Sequence, residues 1–283
     1  MSTYTSVRTR NLLLNLITYL LLSMGAVIML TPFLWMVATS FKMPADQYTK
    51  TLIPNPATLN NFKELWSQLP FPDLLFNSFK LSTLITIGQL LTCTMSAFVF
   101  AVVNFRLRNI LFALLMLTLM IPPQVTLIPN FIVFGWLHLV GTQVPLWLPA
   151  FWGGAFGTFL MRQYFLTIPR DLADAARVDG ASLIQIFWHI YLQLAKPALA
   201  ALAIFTFHGA WNDLLHPLVY LPTDMHKTTL TVGLAFFQQQ LVQGGKFTVL
   251  LAGALISILP LILVFFIAQR QFIEGIALTG VKR

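Results

Sequence analysis

Between Lys80 and Arg106 the chain runs for 25 residues without a charged side chain, LSTLITIGQLLTCTMSAFVFAVVNF at positions 81–105. An α-helix needs about 20 mostly apolar residues to cross the hydrocarbon core of a membrane. A backbone in lipid must also satisfy its hydrogen bonds internally, and a helix does so within one segment. The stretch therefore predicts a membrane-spanning helix.

The rest of the chain has the same apolar character. Of its 283 residues, 57% are hydrophobic and 9% are charged, and the mean hydropathy is +0.77. A soluble globular domain carries about 25% charged residues, so this composition excludes a molecule whose whole surface faces water. The single cysteine, Cys93, excludes a disulfide scaffold and is expected to be a buried apolar residue.

Gaps between charged residues place six helices. The gap from Arg108 to Arg162 is 53 residues long, and Pro122 and Pro123 mark a turn inside it. The first apolar run, between Arg10 and Lys42, is about twice as long as the core of a cleavable signal peptide. We therefore expect it to remain as a membrane helix. We therefore predict an all-α, polytopic membrane protein with one domain, residues 1–283. The predicted spans are about 12–38, 78–104, 109–129, 144–165, 197–221 and 248–269.

Six spans place both termini on the same side of the membrane. With the N-terminus inside, the cytoplasmic segments hold 11 of the 17 Lys and Arg residues, including every arginine. Because Lys and Arg are concentrated in cytoplasmic loops, this distribution predicts an N-in/C-in orientation. Topology then accounts for the net charge of +8, and we expect no nucleic-acid binding.

One cytoplasmic connection, residues 166–196, carries several helix signals. Its start, from Thr167 to Asp171, combines a hydroxyl, a proline and an acid, as helix N-termini do. Gly180 follows where a helix end favours a residue that tolerates positive φ. The helix between them has a small apolar face and is net acidic, whereas helices that lie on membranes are rich in Lys and Arg. On spacing alone, docking to a protein and lying on the membrane both remain open.

The sequence of this loop resembles the EAA loop of permeases in ATP-binding cassette (ABC) importers. DAARVDGAS at 174–182 is followed by FWHI at 187–190. Six further motifs follow the order of the maltose-type, carbohydrate-uptake branch, so that the resemblance extends over about residues 12–283. They are NS at 77–78, MIPPQV at 120–125, TFLMRQYF at 158–165, WND at 211–213, TLTVGL at 229–234, and QR, EG and GVK at 269–270, 274–275 and 280–282.

The resemblance implies the type I ABC importer permease fold and a bacterial inner-membrane location. It implies that the 166–196 loop is a coupling helix that inserts into a cytoplasmic ATPase. The implied partners are a second homologous permease, two copies of an ABC ATPase and an extracytoplasmic solute-binding protein, besides membrane lipid. ATP and Mg are implied for the ATPase, and no cofactor for this chain. The implied ATPase-coupling residues are Asp174, Ala175, Ala176, Asp179, Gly180 and Ala181.

Two positions depart from the family's pattern. Asp174 stands where glutamate is usual, so its carboxylate reaches one methylene less far toward a partner. Gln193 stands where proline is usual, which concerns the bend of the helix that leaves the loop. We expect the docking role to survive both changes.

Sequence signatures of nucleotide, metal and nucleophile sites are missing. The segment most similar to a P-loop, residues 240–247, has Gln240 in place of the first glycine and Phe247 in place of the hydroxyl. The five histidines show no metal-ligand spacing. We therefore expect a transport subunit without enzymatic activity, energised by a partner.

The fifth predicted span is the most polar. His208, Asn212 and His216 recur at every fourth position, which predicts one helical face, and Trp211 and Asp213 lie beside them. Hydrogen-bonding groups next to an aromatic ring suit sugar hydroxyls, and an ionisable residue inside a span is a candidate functional residue. We interpret these five residues as a substrate pathway. A structural network, in which Asn212 and Asp213 cap helices, is the other interpretation.

The resemblance thus implies a permease subunit that forms half of the pathway for a sugar or sugar-like solute. The alternative is a secondary transporter driven by an ion gradient. That mechanism needs an intramembrane carboxylate, for which Asp213 is the only candidate.

Overall fold

A computed structural model describes residues 2–221, 224–241 and 246–280, with side chains over 13–221, 224–240 and 246–267 and at Gln269. Within these ranges the regular structure is helical and no strand is present. Residues 242–245 of the segment compared with a P-loop lie outside the described residues. The helices are α1 (Ser2–Ser40), α2 (Asn60–Gln68), α3 (Phe71–Val102), α4 (Arg108–Leu117), α5 (Pro123–Trp136), α6 (Val144–Trp147), α7 (Ala155–Phe165), α8 (Arg170–Val178), α9 (Leu183–Ile186), α10 (Leu192–Leu194), α11 (Lys196–Trp211), α12 (Leu215–Tyr220), α13 (Leu230–Leu241) and α14 (Phe247–Gly280).

Four of these segments are long and apolar enough to cross a membrane singly. They are Leu13–Ser40, Phe71–Val102, Val144–Phe165 and Phe247–Ile267. Two more candidates are bent pairs, each of which counts as one span if its halves are taken together: Arg108–Met120 with Pro123–Trp136, and Leu183–Leu194 with Lys196–Trp211. The described residues therefore contain four to six candidate spans, and the prediction of an all-α, polytopic membrane protein is confirmed.

The predicted helix over residues 109–129 is interrupted. The chain bends by 98° between Met120 and Pro123. Ile121 takes an extended conformation, φ −85° and ψ 115°, because the ring of a following proline disfavours the helical conformation. The two consecutive prolines thus divide the predicted helix into two arms.

The predicted helix over residues 197–221 is also wrong as a single helix. The regular helix ends at Trp211, and the shorter α12 begins at Leu215. The side chain of Asn212 donates to the carbonyl of His208 at 2.9 Å, and Asp213 accepts from the backbone N–H of His216 at 3.2 Å. Short polar side chains that bond to nearby backbone groups compete with helix continuation, and here they end one helix and start the next.

The chain forms two compact units. The first comprises residues 1–68 and 237–256. Its centre is the buried side chain of Asn61, whose amide nitrogen donates to the carbonyls of Ser40 at 2.8 Å and Lys42 at 2.7 Å. The amide oxygen of Asn61 accepts from the hydroxyl of Thr248 at 3.0 Å. One amide therefore joins the end of α1 to the start of α14.

The second unit comprises residues 69–236 and 257–283, and it is built on α3. Helices α7 and α11 both pack against α3. Where the three helices meet, a Cβ on Gly157 would lie 2.7 Å from Cys93 Sγ and 3.1 Å from a methyl group of Leu202. Cys93 is fully buried, as predicted. Small residues at such contacts let helix backbones approach closely, and the resulting van der Waals packing holds helices together in a membrane.

We expect Gly157→Ala to destabilise the second unit by about 1–3 kcal/mol, the usual cost of overpacking, because the added methyl must displace Cys93 or Leu202. Gly135→Ala in α5 is the matched control, since no atom other than those of its chain neighbours and its own helix backbone lies within 4 Å of its Cβ position. The control should keep or slightly raise stability because alanine favours helices. Thermal unfolding of the purified protein in detergent measures both, and equal midpoints would contradict the close packing.

Candidate functional site

Helix α8 ends in a glycine turn that sets the shape of the loop. Gly180 has φ +85°, a conformation that favours glycine because it has no Cβ. The N–H of Gly180 donates to the carbonyl of Arg177 at 3.0 Å, and the N–H of Ala181 donates to that of Ala176 at 2.9 Å. This pair of bonds is a Schellman motif, which satisfies the last carbonyls of a helix. The predicted helix end at Gly180 is therefore confirmed.

The turn leads directly into a capped second helix. The N–H of Ser182 donates to the side-chain oxygen of Gln185 at 2.8 Å, and the N–H of Gln185 donates to Ser182 Oγ at 3.4 Å. This reciprocal capping box starts α9 and fixes the corner between α8 and α9. A serine three residues before a glutamine was the available sequence signal for it.

A groove of about 360 Å³ lies inside this corner. Four of the six predicted coupling residues line it: Ala176, Asp179, Gly180 and Ala181. Gln185, Ile186, His189 and Ile190 form the remaining wall. Asp174 and Ala175 lie outside the groove on the exposed side of α8, where Asp174 forms an ion pair with Arg177 at 2.9 Å.

Helix α8 has two apolar faces rather than one. Ala173 is 2% exposed and packs into the core of the second unit, with Ala176 beside it. Leu172, Ala175 and Val178 point away from that core, and Val178 is 88% exposed. The sequence pattern did not single out Ala173, because the apolar residues of so short a helix surround most of its circumference.

Buried aromatic rings hold the loop to the helices of the bundle. The ring of Phe187 lies 5.3 Å from that of Phe98 in α3. The ring of Tyr191 lies 5.2 Å from Phe98 and 5.4 Å from Phe165 in α7, both edge to face. Edge-to-face pairs are favourable beyond the area they bury. Phe187 and Tyr191 occupy a π-helical segment, a distortion that often marks functional regions of helices.

The predicted substrate pathway is divided by the structure. Asp213 and His216 form a pair, with a carboxylate oxygen 2.8 Å from His216 Nδ1. Trp211 is instead a packing residue: it is 3% exposed, its ring stacks on Phe207, and its Nε1–H donates to the carbonyl of Ser257 at 3.1 Å. His208 and Asn212 are exposed. His208, Asn212 and His216 therefore do not form one stripe along a single helix, because α11 ends at Trp211.

Asp213 and His216 line a cavity of about 390 Å³. Gln89 of α3, Asn130 of α5 and Tyr220 of α12 contribute further polar groups to the same cavity. Its other lining residues are apolar or small, among them Phe134, Pro145, Ala150 and Gly153. Sequence reasoning missed Gln89, Asn130 and Tyr220, because each lies on a separate helix and carries no local motif.

The NS motif at 77–78 lies within α3, which begins at Phe71 rather than near the predicted start at residue 78, and it holds a distant segment of the chain. Asn77 Nδ2 donates to the carbonyls of His226 at 2.9 Å and Thr228 at 3.0 Å. The hydroxyl of Ser78 accepts from the N–H of Leu230 at 2.8 Å. Two of the quoted motifs, NS and TLTVGL, therefore meet through a buried hydrogen bond between Ser78 and Leu230.

The described part of the chain contains no set of side chains that could ligate a metal ion. No group of three or more His, Cys, Asp or Glu side chains there is close enough to hold an ion.

Comparison with known proteins places the chain in a family. The model of a family described as "binding-protein-dependent transport system inner membrane component" matches residues 93–277. The sn-glycerol-3-phosphate transport system permease protein UgpE of Yersinia enterocolitica is 32% identical over 271 residues, which are 93% of this chain and 96% of the relative. The arabinooligosaccharides transport system permease protein AraQ of Halalkalibacterium halodurans is 37% identical over 264 residues, 91% and 92% of the two chains.

Solved structures show the same fold. A chain of a bacterial ABC transporter involved in the import of the acidic polysaccharide alginate superposes with a TM-score of 0.78 at 24% identity, over 92% of this chain and 96% of that one. A second chain, from a bacterial alginate ABC transporter in complex with an alginate pentasaccharide-bound periplasmic protein, superposes with a TM-score of 0.64 at 18% identity, over 88% and 92%. The predicted fold of an ABC importer permease is confirmed.

We expect Phe187→Ala to loosen the loop from the bundle, at a cost of about 3–5 kcal/mol for a buried ring. Trp188→Ala is the matched control, because the neighbouring ring is 48% exposed and its loss should cost far less. Hydrogen–deuterium exchange over residues 170–194 measures the effect, with faster exchange expected for Phe187→Ala alone. Equal protection in the two variants would contradict the anchoring role of Phe187.

Proposed function

Because the chain belongs to the family of binding-protein-dependent transport system inner membrane components, we propose that it forms half of the translocation pathway of an ABC importer for a sugar or sugar-like solute. Family membership makes it a multi-pass inner-membrane permease, a transport component rather than an enzyme. It also decides against the alternative of a secondary transporter driven by an ion gradient.

The proposed assembly contains a second homologous permease, two copies of an ABC ATPase and an extracytoplasmic solute-binding protein. ATP and Mg are used by the ATPase, and this chain binds no cofactor. The family description, which names a binding protein, supports the last partner. Both termini lie in the cytoplasm in this proposal, in agreement with the excess of Lys and Arg in the segments assigned to that side. Residues 1–283 act as one permease domain that contains the 166–196 coupling loop.

The observation that carries the proposal is the architecture of that loop. The exposed apolar side chains of Ala175 and Val178 on α8, and the adjacent groove, offer a surface for the ATPase. The aromatic contacts of Phe187 and Tyr191 would transmit a displacement of α8 to α3 and α7. Packed cores switch between discrete arrangements rather than deform continuously, so a shift of this loop favours a change of state in the bundle.

The cavity around Asp213 and His216 is the proposed contact of this chain with the solute. Amide, carboxylate, imidazole and phenol groups donate to and accept from hydroxyl groups, and the described lining holds no Lys or Arg to bind an anion. The lining therefore favours an uncharged, hydroxyl-rich solute. Of the two relatives, the one named for arabinooligosaccharide transport fits that chemistry better than the one named for sn-glycerol-3-phosphate transport.

We expect Ala175→Arg and Gly180→Pro to uncouple the importer. The arginine places a long charged side chain on the docking face, and proline cannot adopt φ +85° or donate the bond to Arg177. Thr51→Arg, an exposed position of the first unit, is the control. Each tagged variant is purified from its native membrane, co-purifying proteins are identified by mass spectrometry, and solute-stimulated ATP hydrolysis is measured.

The unaltered chain and Thr51→Arg should bring down a second permease and an ATPase with stimulated hydrolysis. The two coupling variants should insert normally but lose the ATPase or its stimulation. Recovery of the unaltered chain alone would contradict the proposed assembly. Normal stimulation in both coupling variants would contradict the role of the loop.

We expect Asn130→Leu to raise the solute concentration for half-maximal uptake about fivefold, since one hydrogen bond contributes about 1 kcal/mol. Asn212→Leu makes the same substitution outside the cavity, where the amide bonds to its own helix just before Asp213, and should raise that concentration less than Asn130→Leu does. Initial rates of uptake of labelled sugars into cells measure both. A larger effect of Asn212→Leu would favour the helical stripe predicted from the sequence over the cavity.

A further inference from the structure

The turn between α3 and α4 carries positive charge without a described counter-charge. Arg106 is exposed, and Arg108 donates to the side-chain oxygen of Asn104 at 3.1 Å. Among the described residues no carboxylate lies within ion-pair distance of either guanidinium. Because arginine stays charged in proteins, these two groups need water or an anion as partner.

A third arginine adds to this charge from a neighbouring helix. The guanidinium of Arg162 in α7 lies 4.0 Å from the ring centre of Phe112, and its Nε–H donates to the carbonyl of Phe100 at 3.1 Å. Arg162 and Arg108 are close enough for their charges to repel each other. The fold thus gathers like charges at one place, an arrangement that a bound anion would stabilise.

A cavity of about 390 Å³ opens at this turn. Its lining consists of Asn104, Phe105, Arg106, Arg108, Asn109 and Ile110. Two guanidiniums and two amides can donate several hydrogen bonds to the oxygens of a phosphate group, and arginine suits phosphate geometry because its donors form a planar fork.

The surroundings of the cavity are those of a membrane boundary. The turn joins the end of one candidate span, Phe71–Val102, to the start of the next arm, Arg108–Met120. Exposed apolar side chains continue along α4 from the cavity: Leu107 is 50% exposed, Leu111 43% and Leu114 54%. Their spacing of four and three residues places them on one face of the helix. A cationic cavity therefore adjoins an apolar stripe that leads into the membrane.

We propose that this arginine turn, residues 103–108 with Asn109, binds the headgroup phosphate of an anionic phospholipid. Arg106 and Arg108 contact the phosphate, and the acyl chains lie along Leu107, Leu111 and Leu114. The site is separate from the coupling groove and from the solute cavity, and it goes beyond the proposed transport function. A free phosphate shares the headgroup chemistry, but it makes no use of the apolar stripe.

The test measures the lipid that the complex retains. The tagged chain with its native partners is reconstituted in nanodiscs of phosphatidylcholine with a minority of phosphatidylglycerol, extracted in mild detergent and analysed by native mass spectrometry. One basic residue near a membrane surface strengthens binding of anionic lipid about fivefold, so Arg106→Gln with Arg108→Gln should release most of the bound phosphatidylglycerol.

Lys50→Gln with Lys63→Gln removes the same charge from exposed positions of the first unit and should retain the lipid. Arg106→Gln alone, at an exposed side chain, keeps the Arg108–Asn104 bond and should release part of the lipid.

Three results would overturn the proposal. The first is equal phosphatidylglycerol in the Arg106→Gln/Arg108→Gln variant and the lysine control. The second is displacement of the bound lipid by millimolar inorganic phosphate, which would identify a free anion as the ligand. The third is a loss of partner subunits from the Arg106→Gln/Arg108→Gln variant that is as large in pure phosphatidylcholine as in nanodiscs with phosphatidylglycerol. Such a loss would assign the arginines to a protein contact.

Discussion

The loop of residues 166–196 is joined to the bundle by the rings of Phe187 and Tyr191, which pack on Phe98 and Phe165. Aromatic rings bury more area than other side chains, and a close-packed core leaves little room for them to move separately. In the proposed importer, a displacement of α8 would therefore be passed to α3 and α7 through these rings. The proposed role of the chain in an importer depends on this contact, because a loop attached only by flexible ends would absorb the motion of an ATPase.

Close helix packing and helix interruption have complementary roles in the second unit. Gly157 lets α7 pack closely against Cys93 of α3. The cavity around Asp213 and His216 forms between a helix end and regular helices: Asp213 follows the end of α11 at Trp211, whereas Asn130 lies within α5. Irregular backbone at membrane depth is tolerated where it lines a cavity in the protein, because the freed polar groups find partners or water there. The interruption after Trp211 thus adds Asp213 to the polar groups that the regular helices contribute to the cavity.

The arginine side chains of this chain differ in whether a carboxylate neutralises them. Arg177 pairs with Asp174 on the exposed side of α8, so that part of the loop surface is charge-neutral. Arg106 and Arg108, in contrast, have no described carboxylate partner and lie at the junction of two spans, beside apolar side chains. Asp174 and Arg177 share one helical turn, whereas the proposed partner of Arg106 and Arg108 is an anionic lipid of the membrane.

The sequence by itself determined the membrane helices, the glycine turn at Gly180 and the family. The length of an apolar run and the positive φ of the turn at Gly180 depend on residues that are neighbours in the chain. The family motifs are recognised by their order along the sequence. The breaks were only partly predictable: the proline pair marked a turn, but the end of α11 depends on hydrogen bonds made by Asn212 and Asp213. Tertiary structure alone decided that Gln89 and Asn130 share a cavity with Asp213, and that Ala173 rather than Ala175 faces the core. Each of those outcomes depends on how distant helices pack, and a linear pattern carries no record of that packing.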